Sequence, residues 1–197
     1  MKLILATRNP SKAEQIKIIL GVLPIPVLTL TEAGIRGEVV ENGSTLEENA
    51  FKKAIFAWKR PFYSASDDTG FFIDALDGAP GIYAARWAGE GLSTEDIMNF
   101  TLEKLKNVPE DKRTACFRTA AVLVSPDGTS QTFMGEAFGK ILTAPVCACQ
   151  PKMPYSAIFV PDGQTKVWAE MSVEEQNAIS HRGKAFAKLR DHLIGSL

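Results

Sequence analysis

The chain has 197 residues, of which 45% are apolar and 23% charged, and its formal net charge is −1. This is the balance of a globular protein with a sizeable core, and it leaves no electrostatic footprint for a nucleic-acid polymer or an anionic membrane surface. No apolar run reaches the length of a membrane span, and the odd count of three cysteines (Cys116, Cys147 and Cys149) argues against a disulfide framework.

Residues 2–6 are a short apolar run ending at polar residues, which predicts a buried strand. The run stops too soon for a signal peptide, so a cytoplasmic protein is expected. Residues 7–11 follow as a loop, and Ser11 with Glu14 reads as a capping box that opens a helix to about Leu20. A polar loop between a strand and a helix start suits phosphate, because unpaired N–H groups and the helix dipole point into it. Thr7, Asn9 and Lys12 add a hydroxyl, an amide and an ammonium there. A lysine in the first helical turn opposes the dipole, which favours a functional reason for it.

Residues 27–30 predict a second strand, and residues 31–40 irregular or edge structure. Ser44 and Glu47 form another capping box, starting a helix to about Lys59 whose apolar face is Leu46, Ala50, Ala54, Ile55 and Trp58. Residues 62–66 read as a strand that delivers Asp67 and Asp68 at its end, pointing to opposite sides if strand geometry persists that far. Residues 78–89 form a glycine-punctuated loop, and Ser93 caps a helix to about Asn107 with Ile97, Phe100, Leu102 and Leu105 on its buried side. Residues 114–124 and 129–138 predict a hairpin around Pro126, Asp127 and Gly128. Residues 155–160 predict a strand, Ser172 caps a short helix, and a last helix runs from Gly183 to about Ile194. Strands and helices alternate early and a hairpin follows, so the expected class is α/β, an elongated mixed β-sheet with helices on both sides.

Two adjacent acids between core-forming segments are costly unless paired, and a divalent metal is a common solution. Asp67 and Asp68 are therefore the candidate centre, with Glu41, in the turn before a helix, as a candidate second metal ligand facing Asp68. Cys147 and Cys149 lack the Cys-x-x-Cys or paired His that would complete a zinc site. His181, beside Arg182 between two predicted helices, is better placed for function than His192 within the final helix.

Five segments in order carry a resemblance: Ala6-Thr7-Arg8-Asn9-Pro10-Ser11-Lys12, residues 41–50, Ser66-Asp67-Asp68-Thr69-Gly70, residues 78–86, and the stretch from Ala169-Glu170-Met171 to Ser180-His181-Arg182. Together they resemble the inosine triphosphate pyrophosphatase family over nearly the whole chain. The resemblance implies a single domain over residues 1–197, with two lobes and a nucleotide cleft between them. It implies Mg²⁺-dependent hydrolysis of non-standard purine nucleoside triphosphates (ITP, dITP, XTP) to the monophosphate and pyrophosphate, in a homodimer for which loop 78–89 is a candidate contact. Asp68 and Glu41 would hold the metal, Asp68 would also orient or deprotonate the attacking water, and Lys12 would assist at the phosphates. The implied substrate-binding set is Thr7, Arg8, Asn9, Ser11, Lys12, Thr69, Met153, Tyr155, Ser156, Gln176, His181 and Arg182, the last two reading the purine. Two departures fall in this set. Lys152-Met153-Pro154-Tyr155-Ser156-Ala157 replaces the family's Gly-Phe-Gly-Tyr-Asp-Pro, and Gln176 replaces a lysine. They leave open a pyrimidine or modified nucleotide as substrate, or nucleotide binding without turnover.

Overall fold

The computed structural model describes residues 1–89 and 91–197. The elements run β1 (Leu3–Leu5), α1 (Pro10–Leu20), β2 (Val27–Thr29), α2 (Leu46–Ala57), β3 (Tyr63–Ile73), β4 (Pro80–Gly81), α3 (Thr94–Leu105), β5 (Thr114–Val124), β6 (Ser130–Ile141), β7 (Phe159–Pro161), α4 (Val173–Ile179) and α5 (His181–Ser196). The strands form a mixed sheet in the order β2-β1-β3-β5-β6-β7, with β4 bonded to β3 off that path. β1 pairs in parallel with β2 and β3, whereas β3–β4 and β6–β7 are antiparallel. This is the α/β class expected from the sequence. No helix among the described residues is long and apolar enough to cross a membrane.

The chain divides into two compact units, one of Met1–Thr69, Thr119–Glu136 and Ser180–Leu197, the other of Gly70–Arg118 and Ala137–Ile179. In the first unit the wholly apolar β1 is buried on both faces, as a strand of a covered parallel sheet must be. Leu3 and Leu5 join Ile16 and Leu20 of α1 and Phe186, Leu189 and Leu193 of α5. Ile4 and Ala6 face the other way, into a cluster with Leu30, Ile35 and Ala57 of α2. β3 keeps the same alternation. Tyr63 and Ala65 enter the α1–α5 cluster, while Ser64 donates to the Ala54 carbonyl at 2.8 Å and Ser66 to that of Ala50. The serines tether β3 to α2 and leave no buried hydroxyl unpaired there.

In the second unit the core holds Phe71, Ile73, Ile97, Leu105, Phe159 and Trp168, with the Phe71 and Tyr155 rings stacked 4.2 Å apart.

Several boundaries differ from the sequence expectation, those of the helices because a different side chain makes the cap. Asn9, not Ser11, caps α1 by accepting from the Lys12 N–H, with Pro10 as the first helical residue, where its missing N–H costs nothing. Thr45, not Ser44, caps α2, and its outer residue Ile55 is exposed where an apolar face was expected. Ser180 caps α5 through the Gly183 N–H, so His181 and Arg182 lie in the first helical turn and not in a link between helices. β3 does not end at the aspartates but runs on to Ile73. Residues 155–158 are a succession of turns, with Ser156 N–H on Met153 and Ile158 N–H on Tyr155, so β7 begins only at Phe159.

Candidate active site

β1 pairs with β3 only as far as Leu5 and Ala65, followed by one further bond from Ala6 N–H to the Ala65 carbonyl at 2.7 Å. Beyond it the chain turns away through residues 7–9 into α1, while β3 continues. Asp67 and Asp68 sit on that continuation. The alternation already set by residues 63–66 sends Asp67 toward α1 and α5, and Asp68 toward α2.

Asp67 is 3% exposed. Its Oδ1 lies 2.9 Å from Lys12 Nζ, and its Oδ2 accepts from Arg182 Nε at 3.2 Å. Arg182 Nη1 also donates to Gln15 Oε1 at 2.8 Å, one turn along α1 from Lys12. Burial alone would raise the Asp67 carboxyl, but Lys12 and Arg182, with Lys53 behind them, outweigh it and hold the group well below the usual carboxylate range. Burial lowers Lys12, with Asp67 opposing. Burial, reinforced by Arg182, puts His181 well below its ordinary value, which leaves a neutral imidazole at pH 7. Two cations thus share one carboxylate, and the cluster carries one positive charge in excess. α5 comes this close to the sheet because β6 has a glycine beneath it: a Cβ on Gly135 would lie 2.0 Å from the His181 carbonyl oxygen and 2.6 Å from Ala185 N.

The Asp68 side is built the opposite way. Lys53 Nζ of α2 lies 2.8 Å from Asp68 Oδ1 and 2.7 Å from Glu41 Oε2. Asn49, one turn earlier, donates Nδ2 to Asp68 Oδ2 at 3.4 Å and accepts the Gly43 N–H on Oδ1 at 2.7 Å, so it ties the loop carrying Glu41 to β3. Burial raises Asp68, Lys53 opposes, and Glu41 adds to the rise. Burial would lower Lys53, but Asp68 and Asp67 outweigh it and raise its value. Here two carboxylates share one ammonium, leaving one negative charge in excess. Because Glu41 and Asp68 converge on a single Nζ, the pair suits a divalent cation that takes one or two carboxylates and completes its shell with phosphate oxygens and water. Among the described residues no cluster of three or more His, Cys, Asp or Glu side chains offers a fuller cage.

The other candidate residues of the first unit make contacts of their own. Thr7 Oγ1 accepts the Asn9 N–H at 3.2 Å, Arg8 is exposed with Nη2 on the Ile35 carbonyl at 3.0 Å, and Ser11 is exposed. The Thr69 and Thr119 hydroxyls are 2.7 Å apart. A groove of about 710 Å³ opens beside the loop, lined by Thr7, Arg8, Asn9, Lys17 and Glu32 among others, but neither aspartate lines it.

In the second unit, Tyr155 is a core residue whose hydroxyl donates to the Ala84 carbonyl at 2.7 Å, and burial pushes its pKa up. Ser156 donates to the Met153 carbonyl and accepts the Gln150 N–H, at 2.7 and 2.8 Å. Gln176 donates to the carbonyls of Trp168 and Met171 at 3.0 and 3.2 Å. These three side chains are buried and bonded within their own unit, while Met153 is half-buried in the turn they brace. Cys149 donates to the Pro154 carbonyl at 3.4 Å, and burial raises its thiol and that of Cys147.

The sequence profile of the Ham1 family matches residues 3–192. The chain belongs to the Ham1 family. Among relatives, the dITP/XTP pyrophosphatase of Geobacter sulfurreducens is 42% identical over 193 residues, covering 98% of this chain and 96% of its own. That of Clostridium perfringens is 41% identical over 203 residues, covering 100% and 98%. Among solved structures, the Staphylococcus aureus Ham1 protein superposes with a TM-score of 0.87 at 33% identity over 100% of both chains, and a Coxiella burnetii HAM1 protein with 0.88 at 30% over 99% of both. The resemblance carried by the five motifs is thus borne out over the full length.

Three residues of these two clusters escaped the reading of the sequence: Lys53, Asn49 and Gln15. For the first two a signal was present. Asn49 and Lys53 are four residues apart and flank the buried Ala50 and Ala54 on α2, so a lysine lies beside the small-residue face that meets β3. Gln15 offered only its spacing of three from Lys12, which any surface residue of a helix shares.

Proposed function

We propose that this chain is a Mg²⁺-dependent nucleoside triphosphate pyrophosphatase, which hydrolyses ITP, dITP and XTP in the cytoplasmic nucleotide pool to the monophosphate and pyrophosphate. The observation that carries the reading is the pair of oppositely charged clusters on adjacent residues of one strand. The positive cluster suits an anionic phosphate chain, and the negative one suits a cation. Family membership and the full-length dITP/XTP pyrophosphatase relatives set the substrate class.

In this reading Lys12 holds the phosphate chain, with Thr7, Arg8, Asn9, Ser11 and Thr69 around it. Asp67 keeps Lys12 and Arg182 in place and is not itself a base, since its carboxyl stays ionised with a cation on each oxygen. Asp68 has the raised basicity and partial exposure that suit a group orienting a water and taking its proton during attack on the α-phosphorus. Glu41 and Asp68 would hold Mg²⁺, which supplies charge neutralisation on phosphate oxygens. Arg182, through donors beyond those bonded to Asp67 and Gln15, and the neutral His181 select a 6-oxo purine. An adenine amino group would bring a donor against a buried donor there, a large penalty. A homodimer is part of the same reading, with loop 78–89, where Tyr83 is 51% exposed, at the contact; sedimentation at two concentrations checks it.

The deciding experiment incubates purified protein with a nucleotide panel and Mg²⁺ and assays pyrophosphate against orthophosphate. Pyrophosphate from ITP, dITP and XTP well above that from ATP and GTP is expected. Pyrophosphate mainly from a pyrimidine nucleotide refutes the substrate class, orthophosphate as the first product refutes the reaction, and binding without turnover refutes the enzyme.

A further inference from the structure

Lys53 has no part in the reaction as set out above, yet it is the most tightly bonded cation at the Asp68 side. Its Nζ is 2.7 Å from Glu41 Oε2 and 2.8 Å from Asp68 Oδ1, with the lysine side chain 13% exposed. The two carboxylates that would hold the metal are therefore bridged by a cation of the protein itself. An ammonium and a divalent ion bridging the same two carboxylates compete for the same negative charge and for the same place between them. Asn49 does not take over this duty, because its amide is neutral and reaches the other oxygen of Asp68 at 3.4 Å. Charge sets the alternatives. With the ammonium in place the pair is one charge short of neutral, and a divalent ion in its stead would neutralise the pair fully. The displaced ammonium, a compact charge on a flexible stem, then needs an anion, and a triphosphate supplies one.

We propose that Lys53 is an internal counter-cation that holds metal off the Glu41–Asp68 pair until a nucleoside triphosphate arrives. Phosphate oxygens take the ammonium, the carboxylates take the ion, and metal and nucleotide bind as a couple. By linkage each tightens the other by the same factor. The proposal deepens the function given above and rests on Glu41 and Asp68 as metal ligands.

Mn²⁺ binding by the full chain, followed by electron paramagnetic resonance, tests it. With Mn²⁺ alone, Lys53→Met and Lys53→Gln are expected to bind about tenfold more tightly than wild type, and Lys53→Arg like wild type. An α,β-imido analogue of inosine triphosphate should tighten Mn²⁺ on wild type by a comparable factor, beyond the metal the analogue binds in solution, and tighten it less on the neutral variants. Equal Mn²⁺ affinity in wild type and the neutral variants overturns the proposal. Should neither neutral variant fold, the analogue on wild type still decides: no gain in Mn²⁺ affinity overturns it. The metal reading fails separately, and takes the proposal with it, if Lys53→Met combined with Glu41→Gln or Asp68→Asn binds Mn²⁺ as well as Lys53→Met alone.

Discussion

Asp67 and Asp68 are neighbours of identical chemistry that end in opposite environments. Asp67 is sealed between α1 and α5 under two cations, and its basicity is suppressed. Asp68 faces α2, shares one ammonium with a second carboxylate and gains basicity from burial. One step along a strand reverses the side a carboxylate faces, and the side decides which charges it meets. A single strand can therefore present a cluster with excess positive charge and one with excess negative charge on adjacent residues, without the two neutralising each other.

Breaking each side should give different losses. The largest is expected from Asp68→Asn, which removes the proposed base and a metal ligand while keeping shape. kcat should fall about 10³-fold with the circular dichroism spectrum unchanged, and near wild-type turnover would place the chemistry elsewhere. Asp67→Asn should act first on stability. It leaves Lys12 and Arg182 facing each other without their shared anion, and urea unfolding should show a loss of about 3 kcal/mol. The same variant sharpens the acid limb. Asp67 has a depressed folded pKa, so below about pH 4 the unfolded chain takes up a proton that the folded chain refuses. The stability this group contributes is present above that pH and lost as pH falls through it, and the acid limb of a stability–pH profile should be shallower in Asp67→Asn than in wild type.

Smaller effects follow from the supports of each side. Gly135→Ala drives a methyl into the backbone of His181 and Ala185, so α5 must shift. A destabilisation of about 2 kcal/mol is expected, with KM for nucleotide rising more than metal affinity falls; the reverse pattern would mean that Gly135 does not support the Asp67 side. Asn49→Ala cuts the tie from Gly43 to Asp68 and should cost about 1 kcal/mol, with weaker metal binding and unchanged base preference. Equal rates on ITP and ATP in this variant would break the division of labour between the two faces.

Much of this arrangement is legible in the sequence because it follows from local periodicity. The apolar Leu3-Ile4-Leu5 demands a strand covered on both faces. The strand over residues 62–66 sends two adjacent acids to opposite sides before any helix is placed. The capping residues were harder to locate. Asn9 and Ser11 are both good N-caps, as are Ser44 and Thr45, and the choice depends on where the incoming chain leaves the sheet. Tyr155, Ser156 and Gln176 could not be read as core and turn-bracing residues, because their partners, Ala84, Gln150, Trp168 and Met171, belong to segments whose docking no local pattern specifies.

By itself the sequence determined the family, the α/β alternation and the opposite facing of two adjacent acids, all of which depend on motif order or on a period of two along one strand. Only the tertiary structure decided what each acid meets. Lys53 comes from 15 residues before Asp68, and Arg182 from 115 residues beyond Asp67. Charge pairing acts through space over a few ångströms and leaves no period in the chain, so the sign of each cluster, and with it the charge environment of each aspartate, appeared only when α1, α2 and α5 were packed against β3.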